Sequence, residues 1–419
     1  MNIGFISTRL AGVDGVSLET AKMVKVFEEM GHQCFYCAGE LDNNGRKGLL
    51  VPEMHFYDPV AKGIHDEVFR NPKPSRETFR QIYTVADSIR QSIESFIEEY
   101  DIDMIVPQNA STIPMNISLG IAIAETIKRT QIRTICHHHD FYWERDRFVN
   151  NNIQDILDEA FPPDLRPIQH LVISTVMQRR LKGWRGIDAL YLPNVFNFNT
   201  PAPEPDDYAM TFREEMGIGQ DDIIALQPTR IVRRKAIEKA FELIRKLDDD
   251  RIVLVITGYD GDEPGGYGAW LYEEAKRSGI RYKFIGQQVG AQRGTTADGK
   301  KIFDLWDIYP HAHFITYPSV YEGFGNALIE TMYFRKPLVV HRYPAYLADI
   351  KPKGVRAVEF WHDISDEVLR ETREIIENPK LREEITENNF NVGLKHFSFK
   401  VMRDVIDEVM DRFTFERVY

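Results

Sequence analysis

Two acids flank a turn in this chain that is suited to hold an anion. Glu322 precedes Gly323 and Gly325, and Glu330 follows after seven intervening residues, inside a helical pattern carried by Ala327, Leu328, Ile329, Met332 and Tyr333. A helix that starts behind two glycines offers free amide groups and the positive end of its dipole, with Asn326 a favourable cap. Carboxylates beside such a turn are out of place if phosphate is the whole ligand. They fit if the ligand also carries hydroxyls that donate to them, and a phosphate joined to sugars meets both conditions. A second cluster, Arg230, Arg233, Arg234 and Lys235, crowds another strand-to-helix turn. Cations at a helix N-terminus oppose the dipole, so an anion is expected there too. A third group, His137, His138, His139 and Asp140, closes the apolar run Ile132–Cys136.

These groups need strands to bring them to one address. In open parallel sheets ligands bind beyond the carboxyl ends of strands, where all three groups fall. Asn2–Ser7 reads as a buried strand, and Leu18, Ala21, Val24, Phe27 and Met30 mark a helix ended by Gly31. The loop between them carries Gly12 and Gly15 but lacks the spacing of a dinucleotide fingerprint. A long helix over 77–100, a strand over 102–107, a helix over 116–130 and strands over 132–136 and 169–174 continue the alternation. After the proline-rich, acidic stretch 199–207, strands over 223–230, 252–258, 283–286, 314–317 and 337–341 alternate with helices. The fold class is therefore α/β, with one doubly wound domain over 1–198, a second over 199–398, and a last helix over 399–419 striped by Val401, Val405, Val409 and Phe413. Residues 290–301 read as a flexible insertion.

With 64 acidic against 52 basic residues the net charge is −12, a balance that argues against nucleic acid as a partner and gives no support for docking on anionic membrane. The first residues form a strand and lack the pattern of a secretory signal, and no apolar run reaches bilayer length. Cys34 and Cys37 form a C-x-x-C on a strand, where positions three apart face opposite sides, so a redox pair is not expected. A reducing, cytoplasmic setting follows. His137 and His139 could share a strand face and invite a zinc reading, but no further cluster with ligand spacing accompanies them, and no metal site is expected. The tripeptides Asp101–Asp103, Asp248–Asp250 and Asp260–Asp262 sit at element boundaries where acids are common.

The string Tyr317-Pro-Ser-Val-Tyr-Glu-Gly-Phe-Gly-Asn-Ala-Leu-Ile-Glu330 resembles the donor-sugar motif of the retaining glycosyltransferases of family four, also called glycosyl transferases group 1, which have the GT-B fold. His139-Asp140, Arg230 with Lys235, Pro193-Asn194 and the N-terminal glycine loop match the same pattern in order. The resemblance implies two Rossmann-like domains facing an interdomain cleft, the last helix crossing back to the first domain, and a nucleotide diphosphate sugar as co-substrate with no tightly bound cofactor. It implies that Arg230 and Lys235 hold the diphosphate, that Gly15, Gly323, Phe324, Gly325 and Asn326 approach the donor, that Gln287 lies by the nucleobase, and that Glu330 binds ribose. Glu322 and His139 would face the donor sugar. Arg233 and Arg234 are expected to be solvated, since the family usually has one basic residue there at most. Gly12, Asp140, Tyr142 and Trp143 are acceptor-side candidates, although the glycine loop could serve packing alone and Phe141–Phe148 could equally start a surface helix.

The function expected is transfer of a hexose from a UDP-glucose or GDP-mannose type donor to a small soluble, sugar-like or glycerate-like acceptor, by a retaining route without metal. The helix after the glycine loop carries Lys22 and Lys25 against Glu19, Glu28 and Glu29, so it is not basic and does not favour a lipid acceptor. A catalytically silent nucleotide-sugar binding protein, or another enzyme of this fold such as a sugar-nucleotide epimerase, are the alternatives.

Overall fold

The computed structural model describes residues 1–12, 14–42, 45–71, 73–259 and 266–415; Asp260 and Asp262 lie outside them. The chain divides into two compact units, Met1–Pro193 with Phe399–Tyr419, and Asn194–Ser398.

The first unit is built on a seven-stranded parallel sheet. Its strands are β1 (Asn2–Ser7), β2 (Gln33–Ala38), β3 (Gly48–Leu50), β4 (Met104–Pro107), β5 (Arg133–His138), β6 (Ile168–Val172) and β7 (Leu190–Tyr191), in spatial order 3-2-1-4-5-6-7. The order reverses between β1 and β4, as in doubly wound sheets that bind ligands at that switch. β1 is central, with Ile3, Phe5 and Ile6 fully buried, which is why it reads as a continuous apolar run and not an alternating one. Helices Arg76–Glu99 and Ile117–Thr130 pack against each other beside the sheet.

The helix after β1 spans Gly15–Glu29 and starts on Asp14, whose carboxylate accepts from the amides of Val16 and Ser17. Its buried side is not the stripe expected from the sequence. Val24 and Phe27 are buried, but Leu18 is exposed, and Ser17, Glu19, Thr20, Met23 and Val26 are buried. That side faces the sheet, with the Phe27 ring on Phe5 and Met23 Sδ 3.4 Å from Gln108, while the C-terminal helix Phe399–Phe415 packs elsewhere on this helix, bringing the Phe399 ring under Lys25 and Arg403 to Glu29 at 3.3 Å. Burial on that last helix is likewise shifted, to Met402, Ile406, Val409 and Phe413. Cys34 and Cys37 are free thiols on β2, and burial pushes both up to about 12.

The second unit carries a six-stranded parallel sheet of β8 (Ile223–Gln227), β9 (Ile252–Ile256), β10 (Arg281–Phe284), β13 (Phe314–Tyr317), β14 (Leu338–His341) and β15 (Val358–Phe360), in order 10-9-8-13-14-15. Between them, β11 (Gly294–Thr295) and β12 (Lys301–Ile302) pair antiparallel, so the segment expected to be a flexible insertion is a short hairpin. Tyr208 Oη pins it by donating to the carbonyls of Gly294 and Ile302 at 3.1 and 2.9 Å. No described helix is long and apolar enough to cross a membrane.

Candidate active site

In the second unit the chemistry gathers where β8 and β13 end. After β13, Pro318 to Gly325 form the turn and helix Asn326–Tyr333 begins. Gly325 has a φ of +133°, and a Cβ there would stand 2.5 Å from Tyr343 Oη, so only glycine fits. Tyr343 Oη also donates to the Phe324 carbonyl at 2.7 Å, buttressing the turn from behind. The Phe324 ring is buried against Phe397, which leaves only its backbone available to a ligand. Among the described residues the amides of Gly323, Phe324, Gly325, Asn326 and Ala327 donate to no protein group. Asn326 is not the cap: Gly325 holds that position, and Asn326 uses its side-chain oxygen to accept from Asn194 Nδ2. The amides that a capping side chain would have taken are thereby left without a capping acceptor.

After β8, Thr229 and Arg230 pass so close to Gly258 at the end of β9 that a Cβ on that glycine would lie 2.0 Å from the Thr229 carbonyl. A single 3₁₀ turn, Arg233–Lys235, follows. Lys235 Nζ pairs with Glu322 Oε1, and Arg234 Nη1 reaches Glu322 Oε2 at 2.6 Å and the Tyr321 carbonyl at 3.1 Å. Arg234 is therefore not solvated, contrary to the expectation: Glu322 has two carboxylate oxygens, and the two long cationic side chains take one each. The signal in the sequence is the pair of cations immediately before Lys235. Arg233 is exposed, its guanidinium 5.6 Å from the Tyr267 ring. Arg230 is exposed and forms no ion pair among the described residues.

Burial works against the Glu322 charge, but Lys235 and Arg234 outweigh it and hold the carboxyl at about 2. For Lys235 burial dominates and lowers the ammonium to about 8, with Glu322 opposing. Glu330 accepts from the buried Tyr309 Oη at 3.1 Å. Gln287 is exposed in the turn Gly286–Gln288 that follows β10.

In the first unit the histidines end β5. His137 Nδ1 and His139 Nε2 share Gln108 Oε1 at 3.0 and 3.3 Å, and the His139 amide donates to Asn109 Oδ1 at 3.0 Å. His138 is bonded through Nδ1 to Thr112 Oγ1 at 2.6 Å and through Nε2 to His170 Nδ1 at 2.9 Å. Burial pulls all four down, His139 and His170 to about 4, so they are neutral at pH 7. Among the described residues no group of three or more His, Cys, Asp or Glu could hold a metal ion.

Asp140 accepts from Asn109 Nδ2 at 2.9 Å and pairs with Arg145. Tyr142 does not form an exposed wall. Its ring is buried in an apolar cluster with Phe148 and Phe161, and Gln154 Nε2 donates to its hydroxyl at 2.9 Å. Trp143 packs on that cluster and stacks on Phe141. An aromatic run that starts a helix inside the sequence is drawn to the core before it is offered to a ligand. Gly12, with φ of +73°, donates its amide to the Asp42 carboxylate at 3.1 Å, and Gly15 opens the first helix with open space where a Cβ would stand.

Residues 210–392 match the family Glycosyl transferases group 1. Two proteins called mannosylglucosylglycerate synthase are similar over nearly their whole length. The one from Thermotoga maritima is 31% identical, covering 97% of this chain and 99% of its own, and the one from Petrotoga mobilis is 30% identical, covering 96% and 100%. Among solved structures, Anabaena HepE in complex with UDP and glucose superposes with a TM-score of 0.70 at 14% identity, over 98% of this chain and all of that one. Sucrose-phosphate synthase from Thermosynechococcus elongatus gives 0.70 at 14%, over 99% and 100%. The two parallel-sheet units and these neighbours define the GT-B fold. With the full-length likeness to its relatives, the chain belongs to the group 1 glycosyltransferases.

Proposed function

We propose that this enzyme transfers a hexose, mannose by the names of its relatives, from a nucleoside diphosphate sugar to a glycerate-bearing acceptor such as glucosylglycerate, with retention and without metal. The observation that carries the reading is the gathering of five free amides, Arg230, Lys235 and a doubly paired Glu322 at one end of one sheet. A diphosphate satisfies the amides and both cations, which neutralise the charge that grows as it leaves. Glu322 has a second use. An ionised carboxylate has about four acceptor directions, of which Arg234 and Lys235 take two, leaving others for sugar hydroxyls. Glu330 takes the ribose hydroxyls, and Gln287 lies beside the base.

In the transfer step the C1–O bond to the diphosphate breaks and its electron pair goes to the phosphate oxygen. The acceptor oxygen bonds C1 from the same face, and its proton passes to that phosphate oxygen. Neutral His139, held by Gln108 and Asn109, hydrogen-bonds the hexose without adding charge, with Gly15 toward the donor and Gly12 and Asp140 on the acceptor side. The test is an incubation with UDP- and GDP-linked glucose and mannose, glycerate or glucosylglycerate as acceptor, and a chelator throughout. Nucleoside diphosphate released only with acceptor, and a product with the donor's anomeric configuration, support the reading. An inverted product, acceptor-independent release or complete loss with chelator contradicts it.

A further inference from the structure

A second concentration of positive charge lies at the opposite end of the same sheet. The C-terminal ends of β8 and β13 carry Arg230, Lys235 and Glu322, but β13 and β14 begin beside a pocket of about 510 Å³. It is lined by Arg213, His311, His313, Arg335, Lys336 and Arg382, among others. The volume falls in the range of small-molecule sites. A four-residue strand at roughly 3.3 Å per residue keeps the two ends more than about 10 Å apart.

The charges in this pocket are poorly balanced. Lys336 Nζ donates to the Pro310 carbonyl at 2.8 Å. Arg382 Nη1 donates to the carbonyls of Ile375 and Ile376 at 3.0 and 2.9 Å. Arg213 donates to the carbonyls of Gly219 and Asp222 at 2.5 and 3.1 Å. Among the described residues none of these three has a carboxylate within ion-pairing distance, whereas Arg335 is paired with Glu387 at 2.8 Å. Glu383 is the one acid on the lining, and it is exposed. His311 and His313 spend ring nitrogens on backbone, on the Ala209 carbonyl at 2.9 Å and the Ile224 amide at 3.0 Å.

Three cations facing one pocket repel each other, and the repulsion is felt: burial and then Arg382 lower Lys336 to about 8, and burial with Arg213, Lys336 and Arg382 lowers His313 to about 4. In a chain with net charge −12, such a cluster is not a by-product of a basic surface. Guanidinium forks beside an ammonium suit phosphate oxygens.

We propose that the pocket formed by Arg213, Lys336 and Arg382 at the amino ends of β13 and β14 is a second anion site, for a small ligand carrying phosphate. It does not depend on the transfer assignment, since it shares no residue with that site. The test is hydrogen–deuterium exchange on the full chain titrated with inorganic pyrophosphate at constant ionic strength, with parallel titrations of a phosphoglycerate and a nucleoside diphosphate. Protection of residues 309–313, 334–337 and 379–386 is expected. Lys336→Gln, which can still donate to Pro310, should raise the midpoint there by about tenfold or more, with residues 319–330 responding as in wild type. Glu383→Gln, an exposed change, should lower the midpoint severalfold. The ligand with the lowest midpoint names the source. No protection of these three segments by any of the three, or midpoints unmoved by both substitutions, overturns the proposal.

Discussion

The carboxyl ends of β13 and β5 solve opposite problems with the same sheet geometry. At the end of β13 charge is kept: Glu322 is buried yet ionised, because Arg234 and Lys235 close on it. At the end of β5 charge is removed: four histidines are buried and neutral, each bonded through at least one ring nitrogen to Gln108, Thr112 or a neighbouring imidazole. The first arrangement suits a ligand whose charge changes during reaction, the second a ligand recognised through hydroxyls. Paired charges leave a large penalty if one partner is lost, whereas a neutral network costs about one hydrogen bond per deletion.

That contrast can be broken most forcefully at Glu322. Glu322→Ala strands Lys235 and Arg234 and should cost about 3–5 kcal/mol in urea unfolding, with transfer abolished. A loss below about 1 kcal/mol would show that the pair is not the anchor described. His139→Ala should cost only about 1 kcal/mol, the price of one neutral contact. Arg230→Ala sharpens the distinction, since this exposed side chain is bonded to nothing described. Stability should stay within about 0.5 kcal/mol while kcat/KM for the donor falls about 100-fold or more.

The two regions should also separate by pH. The histidines are depressed below 6.5 in the folded state, so the unfolded chain binds more protons as pH falls from about 6.5 towards 4 and stability declines there. Each group contributes up to about 1.4 kcal/mol per pH unit. Glu322 is depressed from 4.5 to about 2, so its contribution is complete above about 4.5 and lost only below it. Urea midpoints between pH 7 and 4.5 should therefore fall in wild type and fall less steeply in His170→Asn. Lys235, lowered to about 8, loses its charge above that pH, and kcat/KM for the donor should decline by up to tenfold per pH unit from there. Gly325→Ala should lose about 1–3 kcal/mol from forced positive φ and the Tyr343 clash, read from thermal unfolding.

Much of this architecture is legible in the residues because parallel strands buried on both faces leave continuous apolar runs. Asn2–Ser7 is marked that way to the residue, and the glycines and acids around Glu322 stand out because few other roles explain them together. What was not legible depends on tertiary partners. The Leu18 stripe misleads because the face that is buried is chosen by the sheet, where Phe27 meets Phe5 and Met23 meets Gln108. Tyr142 and Trp143 read as a binding wall until the cluster that absorbs them is known. Arg234 is hidden for a different reason, that its partner Glu322 stands 88 residues away in sequence. The hairpin over 294–302 is too short for periodicity to reveal.

The end of β8 and the turn after β13 are proposed to hold a nucleoside diphosphate together by fixed charges and amides. Calorimetric titration of UDP and GDP into wild type and Arg230→Ala, with chelator present, tests it most directly. Saturable binding of one nucleotide is expected in wild type, weakened about 100-fold in Arg230→Ala and unchanged in Lys336→Gln. Equal affinity in wild type and Arg230→Ala, or binding of neither nucleotide without a divalent ion, would contradict it.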